Sequence, residues 1–119
     1  MDTSFFSKVF PEGLLEHFTI TGFLELGNIP RKEIFYEVHL EENNKILGDY
    51  DQILYESKDF IEVELQDFPI RGKAVFLKIR RRRWRLKSNK SITLKNDFSH
   101  IAVSSGFTNE LSDFLKDND

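Results

Sequence analysis

One stretch of this chain restricts its possible folds more than any other. From Arg71 to Lys90 there are ten basic residues and no acid: Arg71, Lys73, Lys78, Arg80, Arg81, Arg82, Arg83, Arg85, Lys87 and Lys90. Within it, Ala74 to Lys87 alternates as a strand does. Val75, Leu77 and Ile79 share one parity, which continues through Arg81, Arg83 and Arg85, while Phe76, Lys78, Arg80, Arg82 and Trp84 take the other. A strand rises about 3.3 Å per residue, so Arg80 to Arg85 projects guanidinium groups on both faces over about 17 Å. Five arginines there are expected to resist burial, so the strand end should protrude into solvent or line a polyanion.

The formal charge of −3 hides this segregation. The 99 residues outside the block hold seven of the 17 basic residues and all 20 acids, a net of −13. With 119 residues, 39% of them hydrophobic and 31% charged, the chain reads as a single domain over 1–119 with a core of its own. It contains no cysteine, which excludes disulfides, thiolate zinc sites and cysteine nucleophiles. No run of apolar residues is long enough to span a bilayer, and Met1-Asp2-Thr3-Ser4 lacks the basic and apolar blocks of a signal peptide. A cytoplasmic location without membrane contact is the expectation.

Along the chain, Phe6, Val9 and Phe10, then Leu14, Leu15 and Phe18, recur at helical spacing on either side of Pro11-Glu12-Gly13. This predicts short helices near 3–9 and 11–18. Thr19 to Leu26 and the alternating Glu33 to Glu41 read as a hairpin of two strands across Gly27-Asn28-Ile29-Pro30. Residues 42–58 read as loop with a helical turn. Phe60 to Leu65 alternates again, with Ile61, Val63 and Leu65 inward. Asp67 to Gly72 is a tight connection, and 74–95 is a basic β-hairpin turning at Ser88-Asn89-Lys90. Leu111, Phe114 and Leu115 predict a C-terminal helix over 107–116. The expected class is α+β: N-terminal helices, a small antiparallel sheet with a protruding basic hairpin, and a C-terminal helix.

Enzymatic patterns are weak. His17, His39 and His100 have no metal-ligand spacing, Ser104-Ser105-Gly106 lacks a nucleophile elbow, and the glycines form no phosphate loop. Carboxylate pairs such as Glu41/Glu42 and Asp49/Asp51 read as solvated. No catalytic residue, metal, cofactor or small-molecule substrate is expected. The basic ribbon instead suits a polyanion, since a two-stranded ribbon fits a DNA groove and arginine suits phosphate. Arg71, Lys73, Lys78, Arg80, Arg81, Arg82, Arg83, Arg85 and Lys87 are the candidate nucleic-acid contacts, with Trp84 stacking on a base or anchoring the ribbon. The competing readings are docking to an acidic protein surface, and a hairpin masked by the chain's own acids such as Glu33, Glu37, Glu41, Glu62 and Glu64.

Three segments together carry a family resemblance. Phe10-Pro11-Glu12-Gly13-Leu14-Leu15-Glu16-His17-Phe18, Asp67-Phe68-Pro69-Ile70-Arg71-Gly72-Lys73 and Ile79-Arg80-Arg81-Arg82-Arg83-Trp84 resemble the N-terminal-region proteins of bacterial insertion-sequence transposases split between two reading frames. The resemblance implies a non-catalytic, DNA-binding component that contacts the element's ends, with the separately encoded catalytic subunit as a further partner. Its alternative is a protein-interaction module that docks that subunit through the same hairpin without touching DNA. Related unsplit transposases carry a zinc ribbon after the equivalent strand, a feature this cysteine-free chain lacks. If five to eight basic residues neutralise phosphates, the log–log salt slope of DNA binding is roughly −4.5 to −7. On the same reading, converting Arg81, Arg82 and Arg83 to Ala should leave thermal stability nearly intact.

Overall fold

The computed structural model describes residues 10, 13–28 and 33–98. Gly13, at φ 91°, turns the chain into a single helical turn, α1 (Leu14–His17), and strand β1 (Phe18–Asn28) follows at once. Thr19, Ile20, Thr21 and Phe23 favour the extended chain, because branched and aromatic side chains fit a pleated surface better than a helix. β1 pairs antiparallel with β2 (Glu33–Glu42), interrupted by a bulge between Ile20 and Gly22. A 3₁₀ turn (Gln52–Leu54), capped by the Asp51 carboxylate accepting from Ile53 N at 3.2 Å, leads into the long strand β3 (Tyr55–Ile70). Strands β4 (Lys73–Leu86) and β5 (Asn89–Leu94) complete the sheet.

The spatial order is β1-β2-β4-β3, with β5 also on β4. β4 is therefore interior. β3 runs antiparallel along nearly its whole length, and the other side is shared by two strands. β2 pairs parallel over Val75–Arg80, and β5 pairs antiparallel over Trp84–Leu86. The β3–β4 turn places Arg71 at φ 52° and Gly72 at φ 76°, the positive values that two-residue hairpins of type I′ require. Glycine meets that demand without strain, whereas Arg71 holds an αL conformation that L-residues seldom adopt.

One face of the sheet carries the core. Val38 and Leu40 of β2, Leu65 of β3 and Val75, Leu77 and Ile79 of β4 are buried there, covered by Phe10, Leu14, Phe18 and Phe98. The registers Val38↔Leu77↔Leu65 and Leu40↔Ile79↔Val63 stack these side chains in rows across three strands. Phe18 and Phe98 pack with ring centroids 5.1 Å apart, which ties the chain after β5 to the end of α1.

This architecture corrects the α+β expectation. Among the described residues the protein is a mixed, mostly β structure with one four-residue helix, and the sheet is not purely antiparallel. The helix expected over 11–18 shrinks to Leu14–His17, because the extended chain of β1 already begins at Phe18. The basic hairpin does form but does not protrude, since its first strand lies between β3 on one side and β2 and β5 on the other. The helices expected near 3–9 and over 107–116 lie outside the described residues.

Candidate functional site: the arginine strand and its acidic frame

The strand pairings bring acids opposite the arginines. On the face away from the core, Glu41 of β2 and Glu62 of β3 flank Arg80 in register. The Arg80 guanidinium lies 3.0 Å from Glu41 Oε1 and 3.3 Å from Glu62 Oε1. Phe60 lies beneath two guanidinium groups, with Arg80 Cζ 4.1 Å and Arg82 Cζ 4.6 Å from its centroid. Arg82 also donates from Nε to the Glu42 carbonyl at 3.3 Å. Further along, Arg83 grips Asp59 with two parallel N–H groups, Nε at 2.6 Å from Oδ1. Arg85 holds Glu56 Oε2 from Nε and Nη2 at 3.1 and 3.0 Å.

A bulge sets this alternation. Without it, Lys58 would stand opposite Arg83. The register shift between Ser57 and Asp59 leaves Lys58 out of the ladder and brings Asp59 to Arg83 and Phe60 to Arg82. Like charges directly across a ladder destabilise it, so the extra residue converts a repulsive pair into an attractive one.

Arg81 has a different environment. It continues the core parity and is only 2% exposed, its guanidinium 5.3 Å from the Phe98 ring. It donates from Nη2 to the Asn96 carbonyl, and its Nε lies 3.8 Å from Glu42 Oε1. Glu42 is itself 1% exposed. It sits where β2 has left β4 and β5 has not yet joined, and its Oε1 accepts the Arg82 backbone N–H at 3.1 Å. Asn96 completes the group: Nδ2 donates to Glu42 Oε2 and to the Lys45 carbonyl, each at 2.8 Å, and Oδ1 accepts from Leu47 N at 2.9 Å. A carboxylate and an amide thus satisfy a stretch of strand edge that would otherwise be buried without partners.

The remaining expected contacts divide by position. Trp84 is 1% exposed and donates its indole N–H to Asn44 Oδ1 at 3.0 Å, so it anchors the strand rather than offering a stacking surface. Lys78 lies 3.4 Å from Glu37, which also accepts from His39 Nε2 at 2.6 Å. Lys73 sits 5.6 Å from the Tyr36 centroid. Arg71 is exposed at the β3–β4 turn, Lys87 in the β4–β5 turn and Lys90 near the start of β5. Of the masking acids expected from sequence, Glu37, Glu41 and Glu62 take part. Glu42, Glu56 and Asp59 join them from outside that set, because 42–58 reads as loop and the next strand as starting only at Phe60, whereas β3 begins at Tyr55.

A groove of about 460 Å³ opens on the outer face, lined by Thr21, His39, Glu62, Glu64, Lys78 and Arg80 among others. Its walls carry both signs of charge. Among the described residues, no group of three or more His, Cys, Asp or Glu is arranged to hold a metal ion. No helix among them is long and apolar enough to cross a membrane.

The carboxyl groups respond to these surroundings in opposite directions. The His39 hydrogen bond holds Glu37 below the ordinary value of 4.5, and the Arg85 hydrogen bond does the same for Glu56. The Arg83 hydrogen bond holds Asp59 below its ordinary 3.8. Burial pushes Glu42 above 4.5, against the pull of its hydrogen bonds and of Arg81 and Arg82. A lowered group contributes stability above its unfolded value and loses it as pH falls through the folded one. A raised group does the reverse, favouring the fold below 4.5 and less so as pH rises through its folded value. Acidification from pH 5 to 3 therefore weakens the protein through Glu37, Glu56 and Asp59, while Glu42 offsets part of the loss. In Glu42→Gln the offset is gone, and urea unfolding across that range should show a steeper decline than in the wild type. Parallel curves for the two proteins would contradict the assignment.

In comparisons with known proteins, no family model, curated protein or solved structure matches this chain.

Proposed function

We propose that this chain is a non-catalytic interaction module that docks another protein through the charged open face of its sheet. The observation that carries this reading is the pairing, on that face, of Lys78, Arg80 and Arg82 with the chain's own Glu37, Glu41 and Glu62 across the strands. A face of alternating sign complements a protein surface of both signs better than a uniformly negative phosphate backbone. In the transposase setting that the sequence resembles, the partner is the separately encoded catalytic subunit. Co-purification with that subunit should survive nuclease treatment, and release by nuclease would overturn the reading.

DNA contact is the second reading, favoured by the exposed Lys87 and Lys90 beside the one-third-exposed Arg85 around the β4–β5 turn. Three cations neutralising three phosphates give a log–log salt slope of about −2.7. Fluorescence anisotropy with a labelled duplex at about 50 and 200 mM salt measures it. A slope between −4.5 and −7 would instead mean that the ladder opens and its arginines turn to phosphate.

A further inference from the structure

Strand β3 has 16 residues, and among the described residues its only strand neighbour is β4. A long sheet edge is a template for another strand, and proteins guard such edges with bulges, prolines and charge. Here the guards stand at the two ends: the bulge at Lys58 and Pro69. Between them, Phe60 to Leu65 contains neither. Ile61 and Val63 are half-buried at the margin of the core, while Glu62 and Glu64 are exposed on the other face.

We propose that the outer edge of β3 over Phe60–Leu65 receives an extended, alternately apolar and basic segment of a partner protein as a further strand. The proposal rests on the reading of this chain as an interaction module and names the chemistry of its partner. The inner edge of the same strand already displays the matching pattern. Val63 and Leu65 face Ile79 and Leu77, and Glu62 and Glu64 face Arg80 and Lys78. The Glu62 side chain remains 74% exposed while pairing with Arg80, so it retains lone pairs for a second cation. A second copy of the chain is a poor occupant, because antiparallel pairing of two β3 edges sets glutamates against glutamates. A partner strand with apolar residues on one parity extends the core row of Ile61, Val63 and Leu65, and lysine or arginine on the other parity meets the two glutamates. Main-chain hydrogen bonds supply the attraction and the alternating side chains the selectivity, as in other strand additions.

The probe is a fluorescein-labelled peptide with the sequence of residues 74–82 of this chain, which carries that pattern, titrated with the full-length protein. Binding is expected to weaken severalfold between about 50 and 200 mM salt. A peptide with glutamate at its basic positions should not bind. A peptide N-methylated at alternate residues, with the same side chains but half the hydrogen-bonding edge, should lose at least tenfold. Because only the peptide changes, misfolding cannot mimic the result. Hydrogen exchange should show alternate amides of 60–65 slowed on binding and those of β4 unchanged. Equal binding of the N-methylated peptide, no binding of the parent peptide, or 60–65 amides fully protected in the free protein would overturn the proposal. If the parent peptide fails while the catalytic subunit still co-purifies, the edge is wrong and the docking reading stands. If both fail, that reading falls as well.

Discussion

Replacing Arg81 with Ala should lower the unfolding free energy by about 3–5 kcal/mol, the range seen when one partner of a buried ion pair is removed. In a chain of 119 residues this corresponds to a drop in melting temperature on the order of 10–20 °C. The cause is the orphaned group more than the lost attraction. Glu42 would stay in a site where it is 1% exposed, still holding the Arg82 amide and Asn96, but with the Arg81 guanidinium gone and only Arg82 left to offset its charge. Its carboxyl would shift further upward, so the variant should recover part of its deficit as pH falls toward 4.5. A compensating change separates this from simple loss of volume. Arg81→Met combined with Glu42→Gln retains an oxygen for the Arg82 N–H and removes the buried charge, and should cost much less than Arg81→Ala. If Arg81→Ala melts within about 2 °C of the wild type, the buried pair is not a structural element. The reading of Arg81 as a surface phosphate contact, with little effect of substitution on stability, is corrected by its burial.

The second large effect is expected at Trp84. Trp84→Ala should cost about 3–5 kcal/mol, because deleting a buried indole removes its packing and leaves a cavity the sheet cannot fully collapse. Trp84→Phe keeps most of the ring and loses only the hydrogen bond to Asn44, so about 1–2 kcal/mol is expected. Thermal unfolding followed by circular dichroism distinguishes the two. If Trp84→Ala instead leaves the melting temperature unchanged but weakens DNA binding, the indole is a stacking residue after all and the buried arrangement is wrong. An intermediate check is intrinsic fluorescence: as the sole tryptophan, Trp84 should emit at the short wavelengths of a shielded indole and resist quenching by iodide.

Much of the sheet was legible from local pattern. The alternation of Ile34, Tyr36, Val38 and Leu40, and of Val75, Leu77 and Ile79, marks half-buried strands, and both segments are strands with those faces inward where the core forms. The long basic strand and a tight turn after it are also visible, because parity and turn chemistry act over a few residues, but the turn falls at Lys87-Ser88 rather than Ser88-Asn89-Lys90, since Asn89 and Lys90 already belong to β5. The reading failed where local pattern is ambiguous. Leu14, Leu15 and Phe18 satisfy helical spacing, yet Phe18 serves the core equally well as the first residue of β1. Tyr55 to Asp59 carries few apolar residues, so its place on β3 could not be read from hydrophobicity.

By itself, the sequence determined that a strand with an apolar first half and an arginine-rich second half must exist, and that 20 acids stood elsewhere to meet it. Only the tertiary structure decided which acids those are. Arg80 draws on Glu41 from 39 residues before it, and Arg83 on Asp59 across a bulge. It also decided that Arg81 lies inside while its neighbours lie out. The reason is physical: parity is a property of one strand, whereas register, a bulge and the neighbour at a strand's edge belong to pairs of strands. An arginine at a core-facing position is tolerable only when some distant part of the chain brings a buried carboxylate and an amide to it, as Glu42 and Asn96 do here.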